Sequence, residues 1–374
     1  PADEIRRPHT LLRIAPLERE ARVALIRQEL NDDRVAAVDQ STGGYPWFAV
    51  LVACEVRDGA ATPRTPTDAA RLALASHHEH ETDRDCVRRR ARALLAVMLA
   101  ESPSWTDLSD GEKHRLAEAV DLRDRKELDE VLRGCIQRGV LRAMRRWYIT
   151  PGILEREVWR IATQGTDPGG PLLPRIRRHC PDRLDGFLQR LQGLGLDPTA
   201  LARDAAPLAQ DLAASLRTLD ALAVSGAAAS LTFCARHAPD LIVCALADVI
   251  DRTSLDELSR RAELRRPIVY ALASLARHSH LFAPVERALF KLRVSENEAF
   301  ANNASAFWTW LFLPWINATG VAFEVRLAVL DARCRTGTTA ERISAVEWLA
   351  EVLRPLGSVA FVGDDSAPRG APDA

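Results

Sequence analysis

From about residue 181 to residue 355 the chain is a succession of short amphipathic stretches. Apolar residues recur at helical spacing over roughly 181–193, 197–217, 218–236, 239–249, 254–264, 267–278 and 283–294. A strand buries every second residue, whereas a helix buries every third or fourth. A long run of stretches with the second period has one way to hide its apolar faces, which is to stack helix on helix. Pro267 and Pro284 each precede such a stripe and are 17 residues apart. That spacing suggests stacked helical hairpins of the HEAT or TPR kind, although no strict repeat motif occurs. The Gly- and Pro-rich stretch 165–174 separates this array from what precedes it.

Composition agrees with a helical reading. Aromatic residues make up 6% of the 374 residues, and Ala and Leu abound, which favours helix over sheet. The length suggests two or three domains. A net charge of -1 gives no global field toward nucleic acid or an anionic membrane. The 7 Cys are scattered and never in CxxC spacing, which argues for a reducing cytoplasm and against a zinc site or a disulfide framework. No apolar run reaches membrane-spanning length, since the longest, 307–316, carries Pro314. The expected setting is cytoplasmic, with no membrane partner.

The first hundred residues hold smaller helices. Residues 9–17 read as a short strand, and Leu17–Leu30 as a helix with Val23, Ile26 and Leu30 on one face. A second helix follows Asn31-Asp32-Asp33 and runs to about Gln40. Gly43-Gly44 breaks the pattern, and Pro46 is placed to open a helix through Phe48, Leu51 and Val52. A linker over 57–66 precedes helices at 68–76 and 86–100. His77-His78-Glu79-His80-Glu81 falls between them and reads as a solvated polar loop rather than a metal site, because no partner ligand has site spacing.

Residues 101–164 carry a winged-helix pattern. Ser109 and Glu112 form a capping-box signature. Leu128, Val131, Leu132, Cys135 and Ile136 make one apolar stripe, stopped by Gly139. Residues 140–144 and 147–149 suit a hairpin turning at Arg145-Arg146, and Thr150-Pro151 opens the next helix. The would-be recognition helix exposes Lys126, Glu127, Asp129, Glu130, Arg133, Gln137 and Arg138, a face without net positive charge. Arg142, Arg145 and Arg146 on the wing could touch phosphates. DNA is therefore a possible but not the favoured partner.

A further element is Ser295-Glu296-Asn297-Glu298-Ala299-Phe300-Ala301-Asn302-Asn303-Ala304, followed by Trp308, Trp310, Phe312, Trp315, Phe323 and Arg326. Asn and Glu side chains can bond free backbone groups and shape a turn between helices. The alternative is a ligand or partner groove with aromatic anchors. The residues in question are Glu296, Glu298, Asn302, Asn303, Trp308, Trp310 and Arg326. No nucleophile and base are placed together anywhere, so no catalytic residue is assigned.

The segment from Pro16-Leu17 to Gly43-Gly44-Tyr45-Pro46-Trp47-Phe48-Ala49 resembles the helical lid of STAND-type signalling ATPases. That family's order is P-loop core, helical lid, winged helix and helical sensor. The resemblance implies that Gly44, Tyr45 and Pro46 match the family's Gly-x-Pro element, which closes on the nucleotide base. By themselves these residues also read as an ordinary helix–turn–helix corner. The stretch around 267–350 resembles the helical region of bacterial STAND and NACHT-like defence proteins, where Glu-Asn-Glu and Asn-Asn-Ala recur before an aromatic helix. No GxxxxGK[ST] loop occurs in the chain.

The expectation is thus a mainly α chain. A helical lid spans 1–100, a winged helix with a short β-hairpin spans 101–164, a helical-array sensor spans 171–360, and a disordered tail spans 361–374. The chain itself would not be an enzyme and would hold no cofactor alone. ATP or ADP is implied for an intact parent whose P-loop core precedes Pro1. A protein trigger or self-association is the expected partner. The rival readings are a winged-helix transcriptional regulator and a nucleotide-free helical scaffold.

Overall fold

Caps and prolines decide where most of the helices begin. A computed structural model describes residues 18–43, 45–75, 84–100, 105–143, 147–149, 152–163, 170–297, 303–313 and 319–352. The described residues are mainly helical, with nineteen α-helices and one two-stranded hairpin. The chain divides into two compact units, Pro1–Gly165 and Thr166–Ala374. The expected strand at 9–17, the His77–Glu81 loop, Thr150-Pro151 and the 361–374 tail lie outside the described residues.

The first unit contains α1 (Arg19–Arg27), α2 (Asp32–Ser41), α3 (Pro46–Arg57), α4 (Pro66–Leu74) and α5 (Arg84–Ala100). It continues with α6 (Asp110–Ala119), α7 (Arg125–Gln137), β1 (Leu141–Ala143), β2 (Trp147–Ile149) and α8 (Gly152–Ala162). Pro46 occupies the first turn of α3, where its missing N–H costs nothing. Thr65 with Asp68 and Ser109 with Glu112 form reciprocal capping boxes that start α4 and α6. Asp124 starts α7 by accepting from the Glu127 amide at 2.9 Å. Gly139 ends it with a φ of 73°. The two strands pair antiparallel, with Leu141 opposite Ile149 and Ala143 opposite Trp147.

Helix α5 is the axis of this unit. Its second half, Ala91 and Ala93–Ala100, is buried on every side. A helix that is apolar all round must be surrounded, and α4, α6, α7 and α8 all pack on it. The apolar stripe of α7 supplies Leu128, Leu132 and Cys135 to the same core.

The second unit contains α9 (Leu172–His179), α10 (Leu184–Gly193), α11 (Pro198–Ser215), α12 (Ala227–His237), α13 (Pro239–Arg252) and α14 (Leu255–Arg260). It ends with α15 (Ala262–Leu275), α16 (Phe282–Val294), α17 (Ala304–Phe312), α18 (Phe323–Thr336) and α19 (Thr339–Val352). Each helix packs chiefly on near neighbours in sequence, with α12 central against α10, α11, α13 and α15.

Two sequence expectations are corrected here. The stretch 218–236 is not one helix, because a 3₁₀ turn over Leu219–Leu222 is followed by Gly226 at φ 74° before α12 starts. Pro267 does not open a helix but lies inside α15. A proline there removes one helical hydrogen bond. The turn before it is held by Arg265, whose guanidinium donates to Leu258 O at 2.8 Å, Leu292 O at 3.0 Å and Ser295 O at 3.0 Å. No helix among the described residues is long and apolar enough to cross a membrane.

Candidate functional site

The turn between α2 and α3 holds the first group of predicted residues. Gly43 adopts the left-handed conformation at φ 63°, and Thr42 donates its hydroxyl back to Val38 O at 2.7 Å. Both features stop α2. Tyr45 is extended at the N-cap position of α3 and is 43% exposed. Pro46 is half-buried, and Phe48 on the same helix is buried in the core. Gly44 lies outside the described residues. The turn therefore presents an aromatic ring and a proline at the surface, as a corner or a base-contacting element would.

Beside it runs an open groove of about 910 Å³, walled by Ala37 and Gln40 of α2, the 61–64 connector, and Asp68, Arg71 and Leu72 of α4. Neither Tyr45 nor Pro46 is among its described walls. The Asp68 carboxylate is committed to the cap of α4, accepting from the Thr65 and Arg64 amides at 3.0 and 3.3 Å.

The helix that would read DNA is tied to the helices that precede it. Arg138, just past the end of α7, donates Nη2 to Glu55 Oε1 of α3 at 2.7 Å. Its Nε donates to Ala73 O at 3.1 Å and its Nη2 to Leu72 O at 3.4 Å, both at the end of α4. Cations favour the carboxyl end of a helix, where carbonyls lack partners. Asp129 accepts from the indole of Trp105 at 3.1 Å and from Arg125 at 3.2 Å. Glu127 accepts from the Arg123 amide at 2.7 Å. Of the seven residues predicted to form an exposed reading face, Lys126, Glu130, Arg133 and Gln137 stand out in solvent. The Asp124 cap is an acid held below the usual carboxylate range, chiefly by the hydrogen bond from the Glu127 amide.

The second group surrounds α17. Glu296 accepts from the Ala304 and Ser305 amides at 3.0 and 3.2 Å and from the Ser305 hydroxyl. Asn303 accepts from the Ala306 amide at 2.9 Å. Two side chains thus satisfy the free amides at the start of α17. Trp308 is fully buried and donates its indole N–H to Glu286 Oε1 at 3.0 Å. Its ring lies 4.9 Å from Phe290 and 4.8 Å from Phe312, centre to centre. Arg326 donates to Leu311 O at 2.8 Å and Leu313 O at 3.2 Å, closing the other end of α17. Trp310 is half-buried and meets Phe307 edge-on at 4.8 Å. Glu298 and Asn302 lie outside the described residues.

Glu296, Asn303, Trp308 and Arg326 are therefore brought together, and each is engaged in building α17. Sequence reasoning missed the residues that complete the cluster. Arg333 donates to Glu286 Oε2 at 3.0 Å and lies over the Phe290 ring at 4.4 Å. Arg293 lies over the Trp308 ring at 5.1 Å and donates to the Ser344 hydroxyl at 2.6 Å. A signal for them exists. Glu286 and Arg293, and Arg326 and Arg333, are each seven residues apart on an otherwise buried stripe. Two turns of helix place such pairs on one face.

Among the described residues no group of three or more His, Cys, Asp or Glu could hold a metal ion. No protein-family model, curated protein or solved structure matches the chain.

Proposed function

We propose that this chain is the regulatory and sensor portion of a STAND-like signalling ATPase of bacterial defence. In this reading α1–α5 form the lid, α6–α8 with the hairpin form the winged helix, and α9–α19 form a HEAT- or TPR-like array that recognises a protein trigger or another copy. A P-loop core in the same parent would bind ATP or ADP, with Gly44, Tyr45 and Pro46 against the base. The chain alone performs no hydrolysis.

The observation that carries this reading is the tie made by Arg138. It joins the end of α7 to α3 and to the end of α4 through one side chain. A nucleotide-driven switch needs lid and winged helix to move together, and a DNA reader needs that helix free. Three of the seven residues of the reading face, Glu127, Asp129 and Arg138, are engaged inside the unit, which leaves Lys126 and Arg133 as its exposed cations, with Glu130 between them. That supports the switch over the transcriptional regulator.

The genomic sequence ahead of the Pro1 codon tests the proposal. A strand followed by GxxxxGK[ST] there supports it, and a start codon directly upstream overturns it. With that core restored, calorimetry should detect ADP binding that weakens when Tyr45 and Pro46 are replaced by Ala. The absence of any nucleotide binding would favour a helical scaffold.

A further inference from the structure

We propose that the α18–α19 hairpin is a latch over the Phe290 ring, held by polar contacts and able to open as a unit while the rest of the array stays folded. The inference rests on the second unit alone and does not depend on the switch reading.

The hairpin turns charged and polar side chains inward. Its inward stripe on α18 runs through Arg326, Leu330 and Arg333, and on α19 through Glu341, Ser344 and Ala345. Among its described side chains, the buried apolar ones are Leu330 and Ala345. Val325 and Leu327 on α18 and Ile343, Val346 and Leu349 on α19 are all exposed.

What joins the hairpin to the array is a set of charges, among them Arg326, which donates to Leu311 O at 2.8 Å and Leu313 O at 3.2 Å at the end of α17. Arg333 reaches Glu286 at 3.0 Å and Glu341 at 3.4 Å. Arg293 of α16 reaches the Ser344 hydroxyl at 2.6 Å and the Ser344 carbonyl at 3.2 Å. Buried charges gain little on pairing, because their lost hydration offsets the attraction. When the hairpin lifts, Glu286, Arg293 and Arg333 regain water, so opening costs less than peeling away an apolar pair of the same size. Lifting also removes Arg333 from the Phe290 ring, while Arg293 keeps its bonds to Ser305 O and the Thr309 hydroxyl at 3.4 Å each and stays over Trp308. The array would then uncover the Phe290 ring without unfolding, since α12, α13 and α15 keep their own apolar core.

Hydrogen exchange of the full chain, followed by mass spectrometry at rising denaturant, tests this. In the wild type, amides of α18 and α19 should exchange through an opening separate from that of α12, α13 and α15, with a shallower denaturant dependence. Glu286→Gln removes the charge that Arg333 needs, and should speed α18–α19 exchange about tenfold or more while leaving α12–α13 unchanged. Asp331→Asn, which breaks the exposed Arg335–Asp331 pair on the same helix, should change neither. Exchange of α18–α19 in step with α12–α15 in the wild type overturns the proposal, even if Glu286→Gln fails to fold. An equal acceleration by Asp331→Asn overturns it as well.

Discussion

Arg138 and Glu55 meet at 2.7 Å with both side chains largely buried, 17% and 15% exposed. They are 83 residues apart and join α7 to α3. The same guanidinium closes the carboxyl end of α4. Replacing Arg138 by Ala strands the Glu55 carboxylate and two carbonyls at once. Breaking a buried pair from one side costs about 3 kcal/mol. Arg138→Ala should therefore lower the denaturant midpoint of the first unit by a corresponding amount. Arg138→Lys should recover only part of it, because an ammonium on a flexible stem lacks the planar fork that reaches separate acceptors. An unchanged midpoint in Arg138→Ala would remove the observation on which the switch reading stands.

The DNA-reading alternative makes its own demand. If Lys126, Arg133 and Arg142 contact phosphates, a gel shift should appear at low salt and weaken steeply as salt rises. With Asp129, Glu127 and Arg138 engaged inside the unit, no such retardation is expected. A salt-dependent shift abolished by Arg133→Ala would restore the transcriptional reading.

Gly226 and Gly134 should respond oppositely to the same change. Gly226 sits at φ 74°, and a Cβ there would come within 2.6 Å of Pro181 O. Gly226→Ala should cost about 2 kcal/mol or more, since both the backbone and the contact oppose it. Gly134 lies inside α7 with nothing within 4 Å of its would-be Cβ. Gly134→Ala should stabilise by about 0.5–1 kcal/mol through helix propensity alone. Thermal unfolding of the two variants separates them by sign.

The contrast between these glycines marks what a sequence discloses. Helix starts were readable wherever the determinant is local. Ser109 with Glu112, Pro46, and the Leu128–Cys135 stripe needed nothing beyond the next turn of chain. Gly226 was not readable, because its reason is Pro181, which is distant in sequence. Arg265 was missed for the same cause, and with it the fact that α15 runs through Pro267. Around α17 the Glu296–Asn303 stretch stood out by composition, and its capping of Ala304–Ala306 is local enough to foresee. The partner of Trp308 was not, since Glu286 lies 22 residues earlier on another helix. Apolar and charged residues alternate around α18 and α19 without a one-sided stripe, so periodicity gives no inward face there.

Cys135 and Cys234 should be the slowest thiols to react. Burial pushes both up to about 12, whereas Cys244 is exposed. Native protein treated with a chromogenic disulfide should label Cys244 rapidly, and Cys135 and Cys234 only on unfolding. The same burial makes stability fall at high pH. A thiol raised in the folded state and ordinary in the unfolded state favours folding fully below about 8.5, its unfolded value. Above that, the unfolded chain loses protons that the folded chain keeps, and stability declines until the folded thiols ionise near 12. The Cys135→Ala, Cys234→Ala double variant should lose that part of the alkaline decline while keeping the acid limb.

Glu296 separates a structural element from a binding groove. Its carboxylate satisfies two amides and one hydroxyl at the start of α17. Helix α17 in turn carries Trp308 into the core and presents Leu311 and Leu313 carbonyls to Arg326. If Glu296 acts through this cap, Glu296→Ala should destabilise the second unit by about 1–2 kcal/mol, in the range of a lost N-terminal cap. Glu296→Gln keeps an acceptor oxygen for one amide and should cost about half as much. Asn303→Ala should add to either, because it serves a different amide, that of Ala306. Denaturation of the three single variants and of the Glu296→Ala, Asn303→Ala pair measures the sum. A Glu296→Ala protein as stable as the wild type would show that this carboxylate is kept for something other than the fold, and would return the Glu-Asn-Glu stretch to the list of ligand sites.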